Sequence, residues 1–84
     1  MNETEIQETI DRLLDGVEEM SPYRLSKIAT ILIGKKVQGP MIYNYVEKKY
    51  IRATTNSLGH LVVSSDDARE WLTKYATKKF VKND

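Results

Sequence analysis

The apolar residues of the chain recur at helical spacing in four segments, and a short strand-like stretch precedes the last of them. The first stripe consists of Ile6, Ile10, Leu13, Leu14 and Val17. Thr4 and Gln7 have the pattern of a capping box, in which each side chain bonds to the backbone of the other residue. The pair Asp15-Gly16 indicates that this helix either stops there or frays toward Met20.

The second stripe opens with a helix-start signal, Ser21 followed by Pro22. Its apolar positions are Leu25, Ile28, Ala29 and Leu32. Gly34 fits the left-handed position that ends a helix, and residues 35–39 form a short turn.

The third helix is predicted to start at Pro40. Its inner face comprises Ile42, Tyr45, Val46 and the stem of Lys49. Two helices of about ten residues that are joined by a short turn form the helix-turn-helix pattern.

Two β-type runs, YIRAT and HLVVS, come next. Asn56 and Gly59 lie between them and supply turn chemistry, so we expect a hairpin that leans on the helices.

The last helix is predicted to open at Ser64 or Ser65, either of which can cap it. Its stripe is Ala68, Trp71, Leu72 and Tyr75, and we assign Trp71 and Tyr75 to the core. After Ala76 the chain becomes polar and basic, and we expect it to fray.

These elements predict a mainly α fold with a small β-hairpin, in the order of a winged helix-turn-helix. Residues 1–84 would form a single domain with three parts. An extra acidic amphipathic helix lies within residues 2–20, the winged-helix core spans residues 21–77, and a basic tail occupies residues 78–84.

The net charge of +1 conceals a separation of charge along the chain. Residues 1–20 carry seven acidic side chains and one basic one, whereas residues 21–63 carry seven basic side chains and one acidic one. A basic middle block favours a polyanion as partner. The alternative is an acidic helix that folds against a basic face of its own domain.

Residue types for catalysis and metal binding are sparse. The chain has no cysteine, which excludes disulfides, thiolate zinc sites and a cysteine nucleophile. It has no phosphate-binding glycine loop, and its single histidine, His60, has no ligand or triad partner in the sequence around it. The pair Asp66-Asp67 fits helix capping better than a metal site. We therefore expect no enzyme, no metal, no cofactor and no small-molecule ligand.

Membrane insertion is not expected either. No apolar run reaches the roughly 18 residues that a spanning helix needs, and no signal peptide opens the chain. A cytoplasmic protein is the interpretation that follows.

The run YRLSKIATILIGKKVQGPMIYNYVEKKYI, followed by a hairpin and by VSSDDAREWL, resembles the MerR-type winged-helix superfamily. Within it, the chain is similar to small phage and plasmid excisionases and to related phage regulators of the repressor or Cro type. The resemblance covers about residues 21–77, and IYNYV and DAREWL are its most specific parts. It implies binding of double-stranded DNA by a phage or mobile-element protein in the host cytoplasm, at the nucleoid. Its role would lie in recombination directionality or transcription control.

The chain departs from this family in two places. The family has Gly near the end of its recognition helix, where this chain has Lys49. If that position needs a positive φ, lysine costs about 1 kcal/mol there, so we expect the helix to end differently and to re-aim the wing. The helix within residues 2–20 is absent from the minimal excisionase pattern. It either caps the core or pairs with a second copy or another protein.

The candidates for reading bases are Gln38, at the entry of the third helix, and Tyr43 and Asn44, on its outer side. Asn and Gln can bond adenine at two points, and Tyr can contact a phosphate or a thymine methyl group. The alternative is that Tyr43 and Asn44 are ordinary exposed residues and that Gln38 is only a turn residue. Met41, at the helix entry, is assigned to the core.

Phosphate contacts are predicted for the cations around this helix. They are Lys27, Lys35, Lys36, Lys48, Lys49 and Arg52. Asn56, Ser57 and His60 lie at or near the tip of the wing, which is expected on the DNA backbone or in the minor groove.

One such module buries only about 600–1,000 Å² on DNA. Tight binding then calls for a homodimer or a cooperative array, formed through the N-terminal helix or the C-terminal tail. The rival interpretation is a protein-interaction module that keeps the fold and acts through its acidic helix without binding DNA.

Overall fold

The structure of the chain is a computed structural model that describes residues 2–80, and the side-chain surroundings of residues 2–78. Within this range it contains four helices and a three-stranded antiparallel sheet. In chain order the elements are α1 (Glu3–Leu13), β1 (Glu19–Met20), α2 (Pro22–Ile33), α3 (Gly39–Glu47), β2 (Thr54–Thr55), β3 (Leu61–Ser64) and α4 (Ser65–Phe80). The predicted class, mainly α with a small hairpin, is confirmed, and a third strand is added to it.

Helix α1 begins two residues earlier than the capping box predicted at Thr4. Asn2 is the N-cap: its Oδ1 accepts from the Glu5 backbone N–H at 2.8 Å, and Glu5 Oε1 accepts from the Asn2 N–H at 2.9 Å. Asparagine is as favourable at the N-cap as threonine. Asn2 and Glu5 therefore form the capping box that was predicted for Thr4 and Gln7. Gln7 instead donates to the Thr73 hydroxyl of α4 at 2.8 Å.

Helix α1 ends at Leu13, so of the two predicted ends the stop before Asp15-Gly16 is confirmed, whereas a helix that reaches Met20 is wrong. Gly16 takes a left-handed φ of +74°, which turns the chain out of the helix. Glu19–Met20 then forms a strand, in which Met20 pairs with Val63 and is buried. The last two residues of the predicted helical range 2–20 therefore belong to the sheet and not to a helix.

Helix α2 begins and ends where the sequence predicts. Ser21 caps it, since its hydroxyl accepts from the Arg24 backbone N–H at 3.1 Å, and Pro22 follows in the first turn. Gly34 closes the helix with a φ of +83°. Both ends depend on the stereochemistry of one or two residues, which explains why the sequence predicts them well.

The hairpin is confirmed, although its first strand is shorter than YIRAT. Thr54 pairs with Val62 and Thr55 with Leu61. The segment before Thr54 is not strand, and Ile51 within it is buried in the core. Strand β3 lies in the middle of the sheet, with β1 on one side and β2 on the other.

Helix α4 is capped by Ser64, whose hydroxyl accepts from the Asp67 backbone N–H at 3.1 Å. The helix does not fray after Ala76 but continues to Phe80, so the first part of the predicted basic tail is helical. Ala76 is fully buried, and this contact holds the added turn against the core. Residues 81–84 lie outside the described part of the chain.

One hydrophobic cluster joins side chains from all four helices and from β3. Helix α1 packs on α4 and α2, whereas α3 packs on α2. Ile6 and Ile10 of α1 are completely buried. The apolar side of the N-terminal helix therefore caps the core, which is one of the two roles expected for this helix.

Candidate nucleic-acid interface

The turn between α2 and α3 is locked by one hydroxyl group. Thr30 Oγ1 accepts from the Val37 backbone N–H at 2.8 Å and donates to the Ser26 carbonyl at 2.9 Å. Val37 itself is buried, and it anchors the turn in the core. Neither residue is among the positions that the sequence predicts to be functional. The available signal was a single apolar residue, Val37, between a charged and a polar neighbour in the turn.

Helix α3 starts at Gly39, one residue before the predicted start at Pro40. Gln38 is its N-cap residue, but its side chain makes no capping hydrogen bond and is exposed. A Cβ on Gly39 would lie 3.5 Å from Cδ1 of Tyr23, so the tyrosine ring of α2 covers the helix entry. Because the Gln38 amide does not cap the helix, its donor and acceptor groups are free to bond to a partner at this end of α3.

The two faces of α3 are separated as predicted, except that Lys49, whose stem was expected on the inner face, lies beyond the end of the helix and is exposed. Ile42 is completely buried, and Tyr45 and Val46 are half-buried against the core. Tyr43 is exposed over about half of its surface (49%), and Asn44 is exposed as well. Met41, which was assigned to the core, is partly buried against it.

Helix α3 ends in a Schellman motif with lysine at the left-handed position. The Tyr50 N–H donates to the Tyr45 carbonyl at 2.8 Å, and the Lys49 N–H donates to the Val46 carbonyl at 3.0 Å. The rings of Tyr45 and Tyr50 meet edge to face at 5.8 Å, which supplies the hydrophobic contact of this motif.

Lys49 has a φ of +70° and is the one non-glycine residue with positive φ in the described part of the chain. The expectation that lysine would make the helix end differently is therefore wrong. The chain adopts the conformation of a glycine at this position, because two backbone hydrogen bonds and the Tyr45–Tyr50 contact require it.

Exposed lysines lie before and after α3 in the chain. Lys35, Lys36, Lys48 and Lys49 are exposed, and none of them forms an ion pair with another residue of the described range. Lys27 lies over the Tyr23 ring, with 4.8 Å between Nζ and the ring centroid.

Arg52 has a partner, because its Nη1 lies 3.8 Å from Asp67 Oδ1. The Arg52 side chain is 80% exposed, and such a surface pair contributes about 0–1 kcal/mol. A phosphate can therefore replace Asp67 at little cost.

The acidic side chains of α1 lie on other parts of the surface. Glu3, Glu5, Glu8 and Asp11 are exposed, and Asp11 pairs with Arg69 of α4. Since α1 packs on α4 and α2 and its partners do not include a substantial contact with α3, the acidic helix does not cover the basic surroundings of α3.

The three wing residues have different positions. Asn56 is half-buried and stabilises the turn, since its Oδ1 accepts from the backbone N–H groups of Leu58 and His60 at 2.9 and 3.0 Å. Ser57 and His60 are exposed. Leu58, for which the sequence predicts no contact, is 76% exposed at the tip.

Trp71 and Tyr75 stack at 4.8 Å between ring centroids, and Trp71 is buried. Tyr45 of α3 packs on both rings, at 5.7 Å from Trp71 and 6.4 Å from Tyr75. The prediction that Trp71 is a core residue is confirmed, and Tyr75 is half-buried beside it. The contacts of the Tyr45 ring with Trp71 and Tyr75 therefore hold α3 against α4.

Comparisons of the chain with protein-family models, with curated proteins and with solved structures found no match. In the part of the chain that the structure describes, no helix is both long and apolar enough to cross a membrane. Across the same residues, no three histidine, aspartate or glutamate side chains are grouped closely enough to hold a metal ion.

Proposed function

We propose that the chain is a winged helix-turn-helix protein that binds double-stranded DNA, with α3 in the major groove and the hairpin beside it. The observation that carries this proposal is the outer face of α3. It presents Tyr43, Asn44 and Lys48 to solvent, while its inner face is held by the core. Within the described part of the chain, none of these three side chains forms a hydrogen bond or an ion pair with another residue.

The dimensions of the two partners agree. An α-helix with its side chains is about 10–12 Å wide, and the major groove of B-DNA is about 12 Å wide. In helix-turn-helix proteins the first turns of the second helix meet the base edges. In this chain those turns carry the free Gln38 amide, followed by Tyr43 and Asn44.

The rigid connection between α2 and α3 also supports DNA binding. Thr30 and Val37 fix the turn, and the left-handed Lys49 fixes the other end of α3. A helix held at both ends meets a groove in one orientation, with little conformational entropy lost on binding.

The charges favour one orientation of the protein on DNA. Phosphates would meet the exposed lysines around α3, whereas the acidic side of α1 would be repelled. A protein partner of α1 would meet only this charged side, because the apolar side chains of the helix lie in the core. The resemblance to excisionases and phage regulators suggests a role in recombination directionality or transcription control.

A mobility-shift titration on random duplex DNA at two salt concentrations tests the proposal. We expect binding at low salt that weakens steeply as salt rises. Six phosphate contacts would give a slope of log K against log salt of about −5. Absence of a shift even at low salt would show that the basic side of the molecule is only a solvated face, and would leave the protein-interaction alternative.

Asn44→Ala separates base reading from positioning. On a site selected from a random pool, we expect a loss of about 1–3 kcal/mol, with non-specific binding nearly unchanged. Lys48→Ala is the matched control, since removal of a phosphate contact weakens all sequences alike and reduces the salt slope by about 1. Equal losses on specific and random DNA for Asn44→Ala would mean that Asn44 positions the helix and does not read a base.

A further inference from the structure

The tip of the hairpin is a three-residue loop with a fixed conformation. The Gly59 N–H donates to the Asn56 carbonyl, and the Asn56 N–H donates to the His60 carbonyl, both at 2.9 Å. Gly59 has a φ of +82°, which matches a type I turn followed by a left-handed residue. Together with the two bonds to Asn56 Oδ1, these contacts hold the loop in one conformation.

This rigid loop presents one large apolar side chain to solvent. Leu58 is 76% exposed, the highest value among the exposed large hydrophobic residues of the described chain. The other apolar residues of the hairpin are covered: Val62 and Val63 are buried, and Leu61 is half-buried. Leu58 therefore contributes little to the core, although the loop that carries it is well ordered by hydrogen bonds.

The surroundings of Leu58 suit a polyanion. From Lys48 to Val63 the sequence has no acidic residue. Thr54, Thr55 and Ser57 present neutral hydroxyl groups on the exposed part of the hairpin. A hairpin that carries no carboxylate of its own can approach phosphates without repulsion from its side chains, and it offers a basic protein partner no carboxylate to pair with.

We propose that Leu58 is a wedge that the hairpin inserts between two stacked base pairs in the minor groove, next to the site that α3 reads. Proteins that bind the minor groove insert leucine and similar side chains in this way, which partly unstacks the step and bends the duplex toward the major groove. Pyrimidine–purine steps unstack most readily, so the wedge would select such a step. This inference rests on the proposed DNA binding.

The test compares Leu58→Ala and Leu58→Met with the native chain on a selected duplex of about 30 base pairs that carries a dye at each end. We expect Leu58→Ala to lose affinity by about fiftyfold, since three buried carbons are removed from the contact. Energy transfer between the dyes, which reports the bend, should fall to the level of an unbent complex. Leu58→Met, which keeps an apolar side chain of similar volume, should retain both affinity and bend.

Two controls separate the wedge from other effects. The salt slope of Leu58→Ala should equal that of the native chain, because no charge is lost. Ile31→Ala, which removes an exposed apolar side chain from α2 instead, should leave the bend intact. Because both side chains are exposed, neither variant should change the melting temperature.

Native affinity and native energy transfer in Leu58→Ala would overturn the wedge while leaving DNA binding in place. A loss of affinity without a change in energy transfer would also overturn it, since the leucine would then touch DNA without entering the stack. Failure of the native chain to bind any duplex would instead refute the proposed function itself.

Discussion

Lys49 lies one residue beyond the C-cap of α3 with a φ of +70°, a conformation in which the Cβ of an L-residue crowds the following carbonyl. This conformation costs about 1–2 kcal/mol for a residue other than glycine. Glycine avoids that cost but gives up about 0.5–1 kcal/mol more in backbone entropy when the chain folds. The difference favours glycine, and we expect Lys49→Gly to stabilise the protein by about 1 kcal/mol.

A gain of this size would raise the melting temperature by about 4–8 °C in a domain of this length. Thermal unfolding followed by circular dichroism, together with urea titration, measures both quantities. The control is Lys49→Ala, which removes the same charge and stem but keeps the Cβ in the left-handed position. We expect Lys49→Ala to show no gain.

The difference in stability between Lys49→Gly and Lys49→Ala tests whether the backbone at this position is left-handed. If Lys49→Gly is no more stable than Lys49→Ala, the backbone at this position is not left-handed in solution, and the Schellman motif at the end of α3 is not formed. Both variants lack the same charge, so a difference between them on DNA would report the direction of the wing and not a lost phosphate contact.

Two further predictions concern the parts of the fold that position α3. Thr30→Val should cost about 1–3 kcal/mol in urea titration, because the Val37 N–H loses its acceptor. Thr30→Ser keeps the hydroxyl and should recover most of that loss; equal destabilisation by both would point to packing instead. Ile10→Ala should cost about 2–5 kcal/mol, since the side chain is fully buried. The exposed Glu8→Ala serves as its control, and an Ile10→Ala cost below about 0.5 kcal/mol would show that α1 is detachable.

The elements that the sequence predicts correctly are those whose signals act over a few residues. Ser21 and Pro22 start α2, and Gly34 ends it. Asn56 and Gly59 form the hairpin turn. In each case the relevant hydrogen bond or backbone conformation involves residues no more than about four positions apart, so the chain around it needs no tertiary partner.

The candidate contacts on α3 were also predictable, because helical periodicity alone separates Ile42 from Tyr43 and Asn44. That separation is present in the structure. What periodicity did not indicate is how the helix is held. Thr30 and Val37 act across seven residues, and the rings of Tyr45 and Trp71 meet from separate helices.

The sequence by itself determined the helical class, the two consecutive helices joined by a short turn, the hairpin and the outward face of α3. Tertiary structure decided the features whose stability comes from distant partners. A two-residue strand such as Glu19–Met20 has no periodic signal and exists because β3 offers it a pairing edge. Lys49 takes a strained conformation because Tyr50 closes the end of α3 on Tyr45, whose ring is held in turn by Trp71 of the distant α4. In both places the packing of distant segments outweighs the local preference of the residue, and only the folded chain shows which of the two prevails.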